Sequence, residues 1–290
     1  MFFLKRSLIA FWLMIALMTC VVAKSHKVIS GAVHNAGADA VFPVTSTILY
    51  TQDQAMLIDT QLTKKDAQKM VDEIKKSGKP LTLIYISHSD PDFYFGLETI
   101  LKAYPSAQVI ATPATVEVIK NTGREKLKYW QKFIGEQAPS RIVIPTAIVG
   151  NSFYFGKEEF QIKGKDPQRT YLWMPQQKMI IGGSLLSNNM FIWTADAPTS
   201  EQRKQWDSIV LDMKKLAPRI TIPGHFLGAD PIANEAIEFT HQYIQTYDDV
   251  LKNYHSFNEI IKQMKIHYPN LGGDLNLQIS TKLILDKTKP

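Results

Sequence analysis

The chain has 290 residues, of which 45% are apolar and 21% are charged, and these fractions are typical of a globular enzyme. Lys and Arg number 33 against 27 Asp and Glu, but the excess is spread along the chain and is not clustered with aromatic residues. This composition does not indicate a nucleic-acid partner, and the chain contains no repeats and no Gly-rich phosphate loop. The single cysteine, Cys20, excludes a disulfide framework.

The amino terminus has the pattern of a secretory signal peptide. Lys5 and Arg6 precede a short apolar run over residues 8–22, and Ala23 is a small residue suited to cleavage. We therefore expect a signal peptide over residues 1–23 and a periplasmic or secreted protein. The alternatives are an uncleaved segment, which is the only membrane contact that we expect, and lipidation of Cys20, for which the preceding Thr is a poor fit.

The first part of the mature chain predicts a β-hairpin and a helix. A run rich in β-branched residues over 44–51 turns at polar residues into a second apolar run over 55–58. Thr63 and Asp66 then form a capping box for a helix. Its apolar stripe consists of Ala67, Met70, Val71 and Ile74.

The next segment carries the most informative motif. A buried strand over residues 81–86 is followed by a loop with polar groups at every second position, His88, Asp90 and Asp92. Loops at the carboxyl ends of strands are where α/β proteins place their chemistry, and His with Asp at short spacing is a ligand set for a divalent metal such as zinc. The simpler interpretation is that the Asp residues only cap the helix that begins near residue 97.

The second part of the chain repeats this order of strands followed by helices. The patterns predict a strand at 107–111, a helical region at 113–135, a hairpin at 153–162, strands at 170–174 and 179–181, a helix at 200–216 and a strand at 219–222. Residues beyond 230 are predicted to be helical, with a helix and a connector over 257–285. Two strand-rich halves of this kind fit the α/β class, as an αββα sandwich in which helices flank two mixed sheets. We expect one such domain over residues 24–290, with a C-terminal helical extension from about 230.

The loop resembles the His-x-His-x-Asp-His motif of the metallo-β-lactamase superfamily. His88 falls on the first His and Asp92 on the Asp, whereas Asp90 replaces the second His and Phe93 the last one. Residues 56–60, Met-Leu-Ile-Asp-Thr with Asp59, resemble the early Ile-Asp-Thr strand end of the family. Residues 222–225 resemble its Pro-Gly-His, which supplies a late metal ligand, here His225. These landmarks cover roughly residues 45–228.

Two further positions depart from the family pattern. Lys165 aligns with the middle His, and Ser184 aligns with the Asp that bridges two metals. Together with Asp90 and Phe93, these changes remove too many ligands for a binuclear site. The resemblance implies one divalent ion at most, bound by His88, Asp90, Asp92 and His225, with Asp166 as a substitute ligand. Zinc is expected, with iron, manganese or no metal as alternatives.

The resemblance implies a hydrolase in which Asp92 is catalytic and the metal activates water on a small ester, lactone, amide or phosphoester. Lys165 and Trp193 are candidate substrate-binding residues, and Trp193 could stack on an apolar group together with Phe93 and the next two aromatic residues. The alternative is a metal-free ligand-binding protein on the same fold. In that case the Lys165 ammonium would pair with Asp90 or Asp92 in place of the missing metal.

Overall fold

The computed structural model describes residues 30–231 and 233–286. The predicted signal peptide, including Cys20, lies outside the described residues. None of the helices in the described part of the chain is long and apolar enough to cross a membrane.

The first sheet has six strands in chain order. The second strand is antiparallel to the first and to the third, and the later neighbours are parallel, so the sheet is mixed. The predicted hairpin is confirmed, with Thr47 paired to Ile58. The strands are β1 (Ser30–Asn35), β2 (Thr45–Tyr50), β3 (Ala55–Ile58), β4 (Leu81–Ile86), β5 (Gln108–Ala111) and β6 (Thr146–Ala147).

Helices cover the outer face of this sheet. The first begins after Thr63, whose side chain accepts the Asp66 N–H, and it buries the four apolar residues that the sequence indicates. The helical region from Pro113 is one continuous helix that ends at a short 3-10 turn, Gly135–Gln137. The helices are α1 (Lys64–Lys76), α2 (Pro91–Tyr94), α3 (Leu97–Ala103) and α4 (Pro113–Ile134).

The second sheet has the order β12-β10-β9-β8-β7, and it is also mixed because only β10 and β12 are parallel. Four helices follow or cover it. The strands are β7 (Ser152–Phe155), β8 (Glu158–Lys163), β9 (Tyr171–Met174), β10 (Met179–Ile181) and β12 (Ile220–Ile222), with a short pair β11 (Ser187–Asn188) and β13 (His225–Phe226). The helices are α5 (Ser200–Lys215), α6 (Glu235–Asn253), α7 (Phe257–His267) and α8 (Asp274–Asp286).

Three apolar cores hold these layers together. One lies between the sheets and includes Leu49, Met56, Phe160 and Leu172. The others lie between each sheet and its helices. This order of helix, sheet, sheet and helix confirms the predicted αββα sandwich. The C-terminal segment differs from the prediction, because it forms two helices instead of a helix and a connector, and Leu277 of α8 is fully buried in the core.

Candidate active site

The carboxyl ends of β3, β4 and β10 are joined by one buried hydrogen-bond cluster. Asp59 accepts the Ser87 N–H at 2.8 Å and the Ser87 hydroxyl at 2.6 Å, and the Ser87 oxygen accepts the Gly183 N–H at 2.7 Å. Burial raises the pKa of Asp59 to about 8, even though both bonds from Ser87 act in the opposite direction. The cluster therefore connects the two sheets directly beside the motif loop.

Two glycines allow the segments from the second sheet to approach this cluster. Gly183 has a φ of 80°, and a Cβ there would lie 2.2 Å from the Thr170 carbonyl oxygen. A Cβ at Gly224 would lie 2.2 Å from the Gly183 carbonyl oxygen. Because neither residue has a side chain, the turn after Pro223 can lie against the Gly-Gly turn, and His225 reaches the motif loop.

His225 and Asp92 form a direct pair at this edge of the sheets. His225 Nε2 lies 2.7 Å from Asp92 Oδ2, and the two side chains are only 15% and 7% exposed. The Phe93 ring contacts both imidazoles, with its centroid 5.2 Å from that of His88 and 5.5 Å from that of His225. His88 and His225, although far apart in sequence, therefore lie against the same aromatic ring. Phe93 fills the space between them, where the family motif has an imidazole.

Asp90 is paired with a lysine that the sequence did not indicate. Lys126 of α4 places its ammonium 2.9 Å from Asp90 Oδ1 and donates to the Ser89 carbonyl oxygen at 3.1 Å. Asp90 Oδ2 lies 3.4 Å from His88 Nδ1. Burial alone would raise the pKa of Asp90, but the charges of His88 and Lys126 outweigh it and hold that pKa below its usual range. Asp90 occupies the N-cap position of α2, yet its side chain makes no capping hydrogen bond.

Lys165 lies elsewhere. Its ammonium pairs with Asp212 of α5 at 2.7 Å, and its side chain is 69% exposed. The predicted pairing of Lys165 with Asp90 or Asp92 is therefore wrong, because α5 offers a nearer carboxylate and α4 supplies the cation for Asp90. Asp166 accepts the Gln168 N–H at 2.9 Å within its own turn, and its role as a substitute ligand stays a prediction.

Trp193 is joined to the edge of the site by a hydrogen bond to Asp196. Its indole N–H donates to Asp196 Oδ2 at 2.8 Å, and its ring packs edge-on against Phe42 at 6.0 Å. Asp196 is exposed to solvent on one side but surrounded by protein on the others, and this reduced hydration, together with the nearby charge of Asp90, raises its pKa. Phe42 in turn packs against Trp130 of α4 at 5.1 Å.

The three aromatic residues of the motif loop are not stacking surfaces. Phe93, Tyr94 and Phe95 are each no more than 2% exposed, so the expectation that they assist Trp193 in binding a substrate is wrong. The strand-to-helix loop turns them into the protein, where Tyr94 and Phe95 join the core beneath α4. The aromatic neighbour of Trp193 is Phe42 instead, and Trp130 lies on the other side of Phe42.

Comparison with known proteins assigns the family. The family model described as "Metallo-beta-lactamase superfamily" matches residues 39–225, which is well over half of the chain. The chain belongs to the metallo-β-lactamase superfamily. Members of this superfamily usually bind divalent metal ions, often zinc, and membership supports a hydrolase-like function.

Solved structures agree on the fold. A metallo-β-lactamase from Pontibacter korlensis is 17% identical with a TM-score of 0.52, and the match covers 75% of this chain and 94% of that one. The DIM-1 metallo-β-lactamase is 16% identical with a TM-score of 0.53, and the match covers 74% of this chain and 93% of that one. A comparison with curated proteins found no match.

The superfamily's metals do not fit the side chains as they are arranged here. Among the described residues, no three or more His, Cys, Asp or Glu side chains gather around one position that could hold an ion. Asp92 and His225 bond to each other, Asp90 bonds to Lys126, and Phe93 offers no ligand atom. The predicted set of His88, Asp90, Asp92 and His225 is thus present at one edge of the sheets. It is divided between the Asp92–His225 pair and the contact of His88 with Asp90.

Proposed function

We propose that the protein is an exported hydrolase for a small molecule with an ester, lactone, amide or phosphoester bond, and that the Asp92–His225 pair activates the attacking water. The observation that carries this proposal is the 2.7 Å contact between Asp92 Oδ2 and His225 Nε2. It lies where the ends of both sheets meet, and both side chains are largely shielded from water. Acid–base groups held in this way are typical of catalytic sites.

In the proposed reaction, the Asp92–His225 pair first takes up a proton and then releases it. A water molecule beside the pair loses a proton to it while the water oxygen bonds to the electrophilic carbon or phosphorus. The pair then returns that proton to the leaving oxygen or nitrogen as the bond to it breaks. The Phe93 ring, which contacts His225, restricts the imidazole to one orientation and excludes water from one side.

The aromatic residues beside the site suggest the kind of substrate. Trp193, Phe42 and Trp130 form a continuous series of ring contacts that starts at Asp196 and ends on α4. We expect this series to bind an apolar part of the substrate, with Trp193 nearest to the reacting bond. A substrate-binding role for Lys165 stays a prediction from the sequence.

A second candidate is a ligand-binding protein without hydrolytic activity. The contact between Lys126 and Asp90 favours it, because this ion pair balances the charge of one candidate ligand without a metal. In this case the surface beside Trp193 would bind the ligand, and no bond would be broken.

Hydrolysis assays on the purified protein test the proposal. Chromogenic esters, a lactone, a thioester, an amide and a phosphoester would be offered with and without a strong chelator. A change in tryptophan fluorescence that Trp193→Phe abolishes would report binding. We expect turnover of one class in the presence of chelator, and Asp92→Asn should lower kcat/KM by about 100-fold or more. Binding without turnover would favour the second candidate. Turnover that the chelator abolishes would instead support the single metal that the sequence predicts.

A further inference from the structure

The ammonium of Lys126 contacts Asp90, which the sequence predicts as a metal ligand. It contacts Asp90 Oδ1 at 2.9 Å and the Ser89 carbonyl oxygen at 3.1 Å, and only 27% of the side chain is exposed. The other oxygen of Asp90 faces His88. Both oxygens of this carboxylate are therefore already opposite a cation or an imidazole.

The packing of α4 places this lysine. Gly123 is buried in the helix, and a Cβ there would lie 3.1 Å from Ile142 Cγ2 and 3.3 Å from Tyr94 Oη. The missing side chain lets α4 lie close to the motif loop at this point. Lys126 follows three residues later, so it projects from the same face of the helix and reaches Asp90.

A divalent ion at Asp90 would have to compete with this ammonium. Ligand bonds to zinc are about 2.0–2.2 Å long, so an ion on either oxygen of Asp90 would lie within a few ångströms of the Lys126 charge. Like charges at such distances repel strongly in a partly buried site. The carboxylate would also lose its hydrogen bond to Lys126.

We propose that Lys126 is the resident cation of this site, and that it positions Asp90 and keeps divalent metals away from His88 and Asp90. This inference concerns the same site as the proposed function, but it does not depend on hydrolysis. Metal affinity can be measured without any substrate, so failure of one idea is distinguishable from failure of the other.

Zinc titration of matched variants tests this role. Lys126→Met removes the charge and keeps most of the side-chain volume, whereas Lys128→Met changes an exposed lysine on the same helix. With a competing chromophoric chelator, we expect Lys126→Met to bind zinc at least about tenfold more tightly than the unchanged protein, as one removed like charge allows. Lys128→Met and the charge-conserving Lys126→Arg should leave zinc affinity unchanged.

Two results would overturn the proposal. The first is a zinc affinity of the unchanged protein equal to that of Lys126→Met. The second is a gain in affinity that survives in Lys126→Met combined with Asp90→Asn, because the metal would then bind elsewhere. If Lys126→Met does not fold, the unchanged protein still decides the matter. We expect added zinc to leave its melting temperature unchanged, and a rise that Asp90→Asn abolishes would show that zinc displaces Lys126.

Discussion

Two Asp–His pairs in the described part of the chain have nearly equal geometry. His225 and Asp92 are 2.7 Å apart, and His241 and Asp207 are 2.6 Å apart. The exposed fractions of the side chains are also similar, at 15% and 7% in the first pair and 21% and 16% in the second. The contact alone therefore does not separate a candidate catalytic pair from an ordinary one.

The surroundings of the pairs do separate them. Asp207 and His241 lie on neighbouring helices, α5 and α6, and the other imidazole nitrogen of His241 lies 3.3 Å from Gln245 of the same helix. Asp92 and His225 lie at the ends of segments from two different sheets, next to the buried Asp59 cluster and the Asp90–Lys126 pair. Helix packing explains the first arrangement, whereas the second exists only because the fold brings together distant polar groups. The location at the strand ends, and not the contact itself, therefore distinguishes Asp92–His225 from Asp207–His241.

The largest expected difference between the pairs is in turnover. His225→Gln should lower kcat/KM by about 100-fold or more, because glutamine cannot take up the proton that water loses. His241→Gln should change it less than about twofold, since that pair only joins two helices. Steady-state kinetics on the substrate found in the screen would measure both.

The two substitutions are chemically identical, so each controls for the other. Circular dichroism and melting curves would show that both proteins are folded. Equal losses of activity in the two variants would remove the distinction between the pairs and with it the proposed role of His225.

The location of the Asp92–His225 pair at strand ends could largely be predicted from the sequence, because turn residues mark where the strands end. His88 and Asp92 follow a strand with the same bounds as predicted, Leu81–Ile86, and His225 follows the predicted Pro-Gly turn. The role of Lys126 could not be predicted, because it depends on how closely α4 packs at Gly123, and no spacing along the chain encodes that approach. The pairing predicted for Lys165 was wrong for a related reason. The position of a lysine along the chain does not show which carboxylate lies nearest to it in the fold.

A smaller difference is expected when the support of each pair is removed. Ser87→Ala deprives both Asp59 and the Gly183 N–H of a buried partner and should lower the free energy of unfolding by about 1–3 kcal/mol. Gln245→Ala removes the contact of 3.3 Å between the Gln245 amide and His241 at an exposed position, and it should cost at most about 1 kcal/mol. Denaturant unfolding measures both losses. Only Ser87→Ala should also reduce turnover, and a matching reduction in Gln245→Ala would contradict the distinction between the two pairs.

Asp59, which lies beside the Asp92–His225 pair, should make the stability of the protein depend on pH. Its pKa is raised to about 8 in the folded protein and is about 4 in an unfolded chain, so the folded state holds an extra proton between these values. The stability from this group is complete below about pH 4 and is lost as the pH rises through about 8. Asp59→Asn should therefore reduce the fall in melting temperature between pH 5 and pH 8 by a few degrees. The substitution is compatible with the backbone φ of 60°, which Asn tolerates well. An unchanged slope would show that Asp59 is ionised in the folded protein.

The smallest effect is expected for the contribution of the second pair to stability. Asp207 and His241 lie between two helices and are partly exposed, so the attraction between them is offset by the cost of ordering them. Asp207→Asn should change the free energy of unfolding by less than about 1 kcal/mol, and a double-mutant cycle with His241→Gln should give a coupling energy in the same range. Urea unfolding of the four proteins in the cycle provides the measurement. A coupling energy above about 2 kcal/mol would mean that Asp207 and His241 interact as strongly as a buried pair. The two pairs would then be alike in energy as well as in geometry.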